Sequence, residues 1–265
     1  MALPTLTHAT AHSLGEAVEA VADGAVPYGG GTELLPAMRL GLLKPERIVD
    51  IKPVAELQGI RVDEDSVTVG ATVRHAEVAR HPEIRTLLPM LAAATARIGN
   101  PRVRWQGTVG GNLAFAEPRS DLIPVMIALG ANIHLAFPTG ARQAPLEDLI
   151  DGPYAFGRAE DEIIVNVELP HSGITFQRYE RIALMERPTA GVALVAREGT
   201  WRLVVGAAGF VPVIKDADDL DAFGAKEVAD ELEPIQDATG SAGYKRFLVA
   251  NLVVGVLSSA RRDSR

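Results

Sequence analysis

The chain has 265 residues, 47% of them hydrophobic and 23% charged, enough to bury the core of one large domain or two modest ones. Its 34 acidic and 26 basic residues give a net charge of −8, which argues against nucleic acid as the main partner because phosphate backbones require a basic surface. Cysteine is absent, so disulfides and cysteine-ligated iron–sulfur or zinc centres are excluded from this chain, and any such cluster in a shared redox chain belongs to another polypeptide.

In chain order, the opening MALPTLTHATAHSLGEAVEA lacks a basic n-region and an apolar h-region, which predicts a cytoplasmic protein rather than a secreted one. Leu14 to Ala22 reads as a helix, with Ser13 as N-cap and Glu16 completing a capping box. Ala25 to Tyr28 reads as a strand running into the turn Gly29-Gly30-Gly31. Arg47 to Ile51 and the alternating Ser66 to Gly70 read as further strands. Thr86 to Arg97 is apolar and Ala-rich, which predicts one buried helix with Pro89 near its first turn. Leu122 to Leu129 predicts a second apolar helix with Asp121 at its N-terminal edge, and Asn132 to Phe137 a strand. Asp161 to Leu169 is strand-like and ends at Pro170-His171-Ser172-Gly173, where a boundary is expected. Three strand candidates follow, Ile174–Ile182, Gly191–Arg197 and Trp201–Ala208, then helices over Ala222–Leu232 and Ser241–Ser259, with a frayed tail Arg261–Arg265.

Two glycine-rich segments stand out: Gly29-Gly30-Gly31-Thr32-Glu33-Leu34 and Thr108-Val109-Gly110-Gly111-Asn112, the latter followed by Asp121. Glycine permits positive φ and close approach of a ligand to the main chain, and successive amides in such a turn form an anion-binding concavity. Either segment alone reads as a tight turn. Both together, each with a hydroxyl residue beside a strand-like stretch, point to a ligand with two phosphates and a polar tail, the form of a dinucleotide, read as FAD. Neither is a Walker loop, and neither carries the G-x-G-x-x-G spacing of a Rossmann unit. Asp121 reads either as a helix cap or as a carboxylate for ligand hydroxyls.

Four places resemble the FAD-binding medium subunit of the molybdenum hydroxylases, the group of carbon monoxide and xanthine dehydrogenases. They are Gly29 to Pro36, Thr108 to Leu113, Ser120-Asp121-Leu122-Ile123-Pro124, and Gly240-Ser241-Ala242-Gly243-Tyr244-Lys245-Arg246. The resemblance implies an α+β fold. A two-part FAD-binding domain of the p-cresol methylhydroxylase and vanillyl-alcohol oxidase type would span 1–170, with subdomains of about 1–58 and 59–170. A small α+β domain with a three-stranded antiparallel sheet and helices would span 171–265. It implies that Pro27, Tyr28, Gly29, Gly30, Gly31, Thr32, Glu33, Leu34 and Leu35 bind the FAD pyrophosphate and nearby groups. Thr108, Val109, Gly110, Gly111 and Asn112 would clasp the cofactor from the other side, and Asp121 would contact its hydroxyls. Ile98 and Ile164 match flavin-contacting positions, and Arg181 stands where the family has a lysine near the flavin. The spacing from Arg181 to Val192-Ala193 departs from the family pattern.

The resemblance further implies a large molybdopterin subunit and a small iron–sulfur subunit as partners, with electrons passing from the clusters through FAD to an external acceptor. A stand-alone FAD-dependent oxidoreductase on the same scaffold and a docking module without flavin are the competing readings. The six histidines, His8, His12, His75, His81, His134 and His171, are scattered and predict no metal site. Tyr28, Trp105 and Phe115 read as packing residues beside the loops. Arg97, Arg102 and Arg104 read as a solvated or partner-facing surface.

Overall fold

In the computed structural model, which describes residues 5–263, the first unit is a small parallel sheet. Thr7–Thr10 and Val26–Tyr28 flank Arg47–Asp50 on either side. Parallel neighbours need crossovers, and Leu14–Ala22 supplies the first one. Ser13 accepts the Glu16 amide at 3.2 Å, as an N-cap does, but the Glu16 carboxylate takes the His12 amide at 2.8 Å, one residue outside the expected box. Ala17, Val18 and Val21 bury one face of this helix against Val49, Ile51 and Leu57.

The second unit is a five-stranded antiparallel sheet in the order Ile60–Val62, Ser66–Gly70, Ile163–Pro170, Asn132–Phe137, Gly140–Pro145. Alternation explains the pairing: Val67 and Val69 point inward from one strand, and Val167 stands opposite Val69 on one side and Ile133 on the other. Six short helices lie between its second and fourth strands in the chain, and of these Val109–Phe115 packs directly on Ser66–Gly70 and Ile163–Pro170. The stretch Thr86–Arg97 is not one helix. It is divided between Pro82–Leu87 and Pro89–Thr95, with Leu88 at φ −128°, ψ 56°. Pro89 lacks an N–H and disfavours helical backbone at the residue before it, so it begins a helix instead of continuing one.

The third unit is an antiparallel meander, Ile174–Ile182, Ala190–Arg197, Thr200–Gly206, to which a fourth strand, Val213–Ala217, is added beyond the expected three. Ala190 through Ala196 are buried without interruption because both faces are covered. Ala193, Val195 and Val204 join the core of the second unit, while Val192, Leu194, Leu203 and Val205 pack against Ala225–Asp230 and Ala242–Asp263. The shorter of these helices starts later than expected, after a 3₁₀ turn at Leu220–Ala222. The longer one runs past Ser259 to Asp263, so Arg261–Asp263 are helical and the remainder of the expected frayed tail lies outside the described residues.

Candidate cofactor cleft

The strand Val26–Tyr28 runs out at Gly29, and the chain turns at Gly31, whose φ of +69° suits glycine. A side chain there would also strike the Tyr28 ring, 2.6 Å from the ideal Cβ. The helix Leu34–Arg39 begins immediately, with the Leu35 amide bonded to Gly31 O at 3.1 Å. Between strand and helix the amides of Gly29, Gly30, Gly31, Thr32, Glu33 and Leu34 donate to no protein acceptor among the described residues. This is a run of unspent donors in residues that line a cleft, the kind of segment that binds anions.

The second glycine segment is built differently. Gly110-Gly111 is no open turn but the first turn of a helix, Val109–Phe115, capped by Thr108, whose hydroxyl accepts the Gly111 amide at 3.1 Å. The Val109 amide goes to Val73 O and the Gly110 amide to Ala71 O, both at 2.9 Å, and the Asn112 amide to Thr108 O at 3.0 Å. The expected second cradle of amides is therefore spent on the protein. Its glycines serve close packing instead, since a Cβ on Gly110 would lie 2.7 Å from the Ala71 Cβ.

The two segments touch. A Cβ on Gly30 would fall 2.0 Å from Gln106 O, and one on Gly29 would fall 3.1 Å from the Thr108 hydroxyl. Together they line a single cleft of about 890 Å³. Of the residues singled out from sequence, Pro27, Gly29, Gly30, Gly31, Thr32, Glu33, Leu34, Thr108, Gly110, Gly111 and Ile164 face it. Leu40, Leu42 and Leu43 form an apolar lip, and Phe115 stands edge-on to Tyr154 with ring centroids 5.3 Å apart.

The remaining predicted residues lie behind this wall. Tyr28 supports Gly31 and carries the Lys52 ammonium 4.1 Å above its ring, and Leu35 packs beside Tyr28 against Gly31. Val109 is buried in the core, and Ile98 packs against it from the periphery. Asn112 accepts the Ser120 hydroxyl at 2.8 Å, and Ser120 in turn accepts the Leu122 amide at 3.1 Å. Asp121 makes no cap bond. One of its oxygens accepts the Tyr179 hydroxyl at 2.8 Å and the other is paired with Arg181. Burial pushes the Asp121 carboxyl above the ordinary carboxylate range, against the pull of Arg181 and Tyr179. Burial and Asp121 together push the Tyr179 hydroxyl well up, so it stays a donor.

Apart from Glu33, sequence reasoning missed the charged residues of the cleft. Glu117 is almost wholly buried, yet it holds Arg187 and accepts Arg119 at 3.3 Å and the Tyr154 hydroxyl at 3.2 Å. Arg187 also grips both oxygens of Glu33, at 2.8 and 2.9 Å. Arg158 and Glu162 complete the charged lining. Only the position of Glu117, between the Asn112 and Asp121 motifs, marked any of these in the chain. Of the basic cluster, Arg104 is turned inward onto the carbonyls of Ile98 and Gly99 at 3.0 and 2.9 Å. Trp105 is half exposed beneath the Arg80 guanidinium. His75 is buried, and burial together with Arg104 lowers its pKa to about 4. Among the described residues no group of three or more His, Cys, Asp or Glu is placed to hold a metal ion, and no helix is long and apolar enough to cross a membrane.

Comparison with known proteins adds a family. Residues 5–172 match the family described as the FAD binding domain in molybdopterin dehydrogenase. The nicotine 6-hydroxylase medium subunit of Paenarthrobacter nicotinovorans is 31% identical over 273 residues, covering 96% of each chain. Among solved structures, carbon monoxide dehydrogenase from Hydrogenophaga pseudoflava superposes with a TM-score of 0.90 at 29% identity over 99% of both chains. Quinoline 2-oxidoreductase from Pseudomonas putida 86 does so with a TM-score of 0.88 at 26% identity over 99% of both.

Proposed function

This chain belongs to the family of FAD-binding domains in molybdopterin dehydrogenases, and on that premise we propose that it is the FAD-carrying medium subunit of a heteromeric molybdenum hydroxylase. It receives electrons from iron–sulfur clusters on a small partner chain and delivers them to an external acceptor. The organic substrate is oxidised on a large molybdopterin subunit, in keeping with a chain that has no cysteine of its own. We place it in the cytoplasm, and divide it into a two-part FAD-binding domain over 1–170 and a smaller domain over 171–265.

The observation that carries this reading is the run of unspent amides from Gly29 to Leu34, all in residues that line the cleft. Its about 890 Å³ suits a dinucleotide, and the missing side chains of Gly29, Gly30 and Gly31 let this loop close against Thr108, Gln106 and Tyr28 while its backbone lines the cleft. When bound, FAD supplies the redox chemistry, and the protein supplies binding, orientation and electrostatics. The amides of Gly29–Leu34 and the Thr32 hydroxyl hold the diphosphate. Thr108 and the glycine surface at Gly110-Gly111 bound it from the adjoining side. Ile163 and Ile164 present an apolar wall that keeps water from the cofactor, and Arg187, drawn onto Glu33 and Glu117, crosses the cleft lining. Asp121, Arg181 and Tyr179, with no free carboxylate oxygen among them, position the helix Leu122–Ala128 and the strand Ile174–Ile182 behind the site.

The test is isolation of the chain from its own host. It should emerge with flavin absorbance near one FAD per chain, together with a molybdenum-containing and an iron–sulfur polypeptide. A colourless chain that takes up no added FAD sinks the proposal. Flavin reduction by a small organic substrate in the isolated chain would instead establish the stand-alone oxidoreductase.

A further inference from the structure

A diphosphate brings two negative charges into a cleft lined by three carboxylates, Glu33, Glu117 and Glu162, and two guanidiniums, Arg158 and Arg187. Four of these five groups are already paired within the protein. Arg187 neutralises Glu33 and Glu117, and Glu162 is held by Arg142 through both oxygens and by the Ala159 amide at 2.8 Å.

Arg158 is the exception. Its Nη1 donates to the carbonyls of Ala159, Glu160 and Glu162 at 2.9, 3.4 and 2.8 Å, which pins the guanidinium. It makes no ion pair, and its Nε and Nη2 donate to no atom of the described residues. Those two N–H groups form one edge of the guanidinium, the edge that matches a pair of phosphate oxygens. Burial holds the Arg158 pKa below its ordinary value, with Glu162 and Glu160 opposing. A pinned guanidinium in the cleft lining, with one edge unused by the protein, is placed to take a pair of ligand oxygens.

Its place in the fold fits. The Tyr154 amide donates to Ala116 O at 2.8 Å and fastens this segment to the end of the helix Val109–Phe115. The Gly110 amide reaches Ala71 O, and the Ala71 amide reaches Val165 O, both at 2.9 Å, which fastens the strand Ile163–Pro170 to the helix's start. Arg158 lies between these anchors, along the flank where the backbone amides are spent.

We propose that Arg158 supplies the cationic contact to the diphosphate of the bound cofactor, complementing the amides of Gly29–Leu34. The assignment rests on the FAD reading of the cleft. It is tested by calorimetric titration of the flavin-stripped full chain with FAD, ADP and adenosine. Wild type is compared with Arg158→Gln and Arg158→Lys at low and moderate salt. Arg158→Gln should weaken FAD and ADP by about tenfold or more while leaving adenosine unchanged. The salt dependence of ADP binding should flatten, and lysine should restore part of the loss. If Arg158→Gln does not fold, Arg158→Met, which keeps the packed stem, is read the same way. Unchanged ADP affinity, or equal losses for ADP and adenosine, overturns the assignment. A wild-type chain that binds no FAD refutes the reading of the cleft itself.

Discussion

A methyl group on Gly30 would sit 2.0 Å from Gln106 O and 2.8 Å from Gly107 Cα, backbone atoms with little room to yield. Gly30→Ala should therefore separate the two loops, costing about 1–3 kcal/mol of stability and weakening FAD binding at least about tenfold. Gly255→Ala is the control: it lies in a helix with open space around it and should gain about 0.5–1 kcal/mol. Thermal melts and FAD titrations of both variants check the pair. His75 makes a separate prediction. Its pKa is about 4 folded against 6.5 ordinarily. Between those values the unfolded chain binds a proton that the folded chain refuses, so stability is full above pH 6.5 and falls as pH drops toward 4. The total is on the order of 3 kcal/mol. His75→Leu should flatten that limb of a stability–pH profile, and an unchanged slope would contradict the assignment. At this scale the sequence was a partial guide. The glycines of the first loop were legible because their spacing is local. The partners of Asp121 were not, because Tyr179 and Arg181 reach it from nearly sixty residues away.

Helix and strand boundaries were mostly legible where periodicity is local: Leu14–Ala22, Ser66–Gly70, Asn132–Phe137 and Ile174–Ile182 lie where the pattern places them. Thr86–Arg97 was not, since hydrophobicity alone cannot show that Pro89 starts a new helix rather than sitting in the first turn of a longer one. What secures that break is a side chain from another unit. Gln177 donates through Nε2 to Leu87 O at 3.0 Å and accepts the Met90 amide at 3.1 Å, satisfying the end of one helix and the beginning of the next. Gln177→Leu strands both backbone groups and should cost about 2–4 kcal/mol. Gln177→Glu keeps the acceptor and should cost less. Denaturant unfolding orders the two, and equal losses would mean that the donor half carries the whole effect. The start of the helix Val109–Phe115 was likewise hidden, because two adjacent glycines argue against a helix by propensity, and only packing on Ala71 explains them.

Across the whole molecule, the cleft takes its walls from distant parts of the chain, and Arg187, from the connection between Ile174–Ile182 and Ala190–Arg197 in the third unit, closes onto Glu33 in the first. Arg187→Met should therefore speed FAD release several-fold and lower stability by about 1–3 kcal/mol, the exposed side of the pair discounting the loss. Stopped-flow displacement and a melt check it. The pairing continues past the cleft. Glu117 meets Arg119, Arg119 approaches Asp237 at 4.0 Å, and Asp237 meets Lys245 at 3.1 Å, beneath the start of the final helix. Opposite signs thus alternate in single file from the pigment's doorway to a fully enclosed ammonium near the far terminus. A lesion such as Lys245→Met, touching nothing that touches flavin, should announce itself by hue: the purified polypeptide would leave the column paler than its parent.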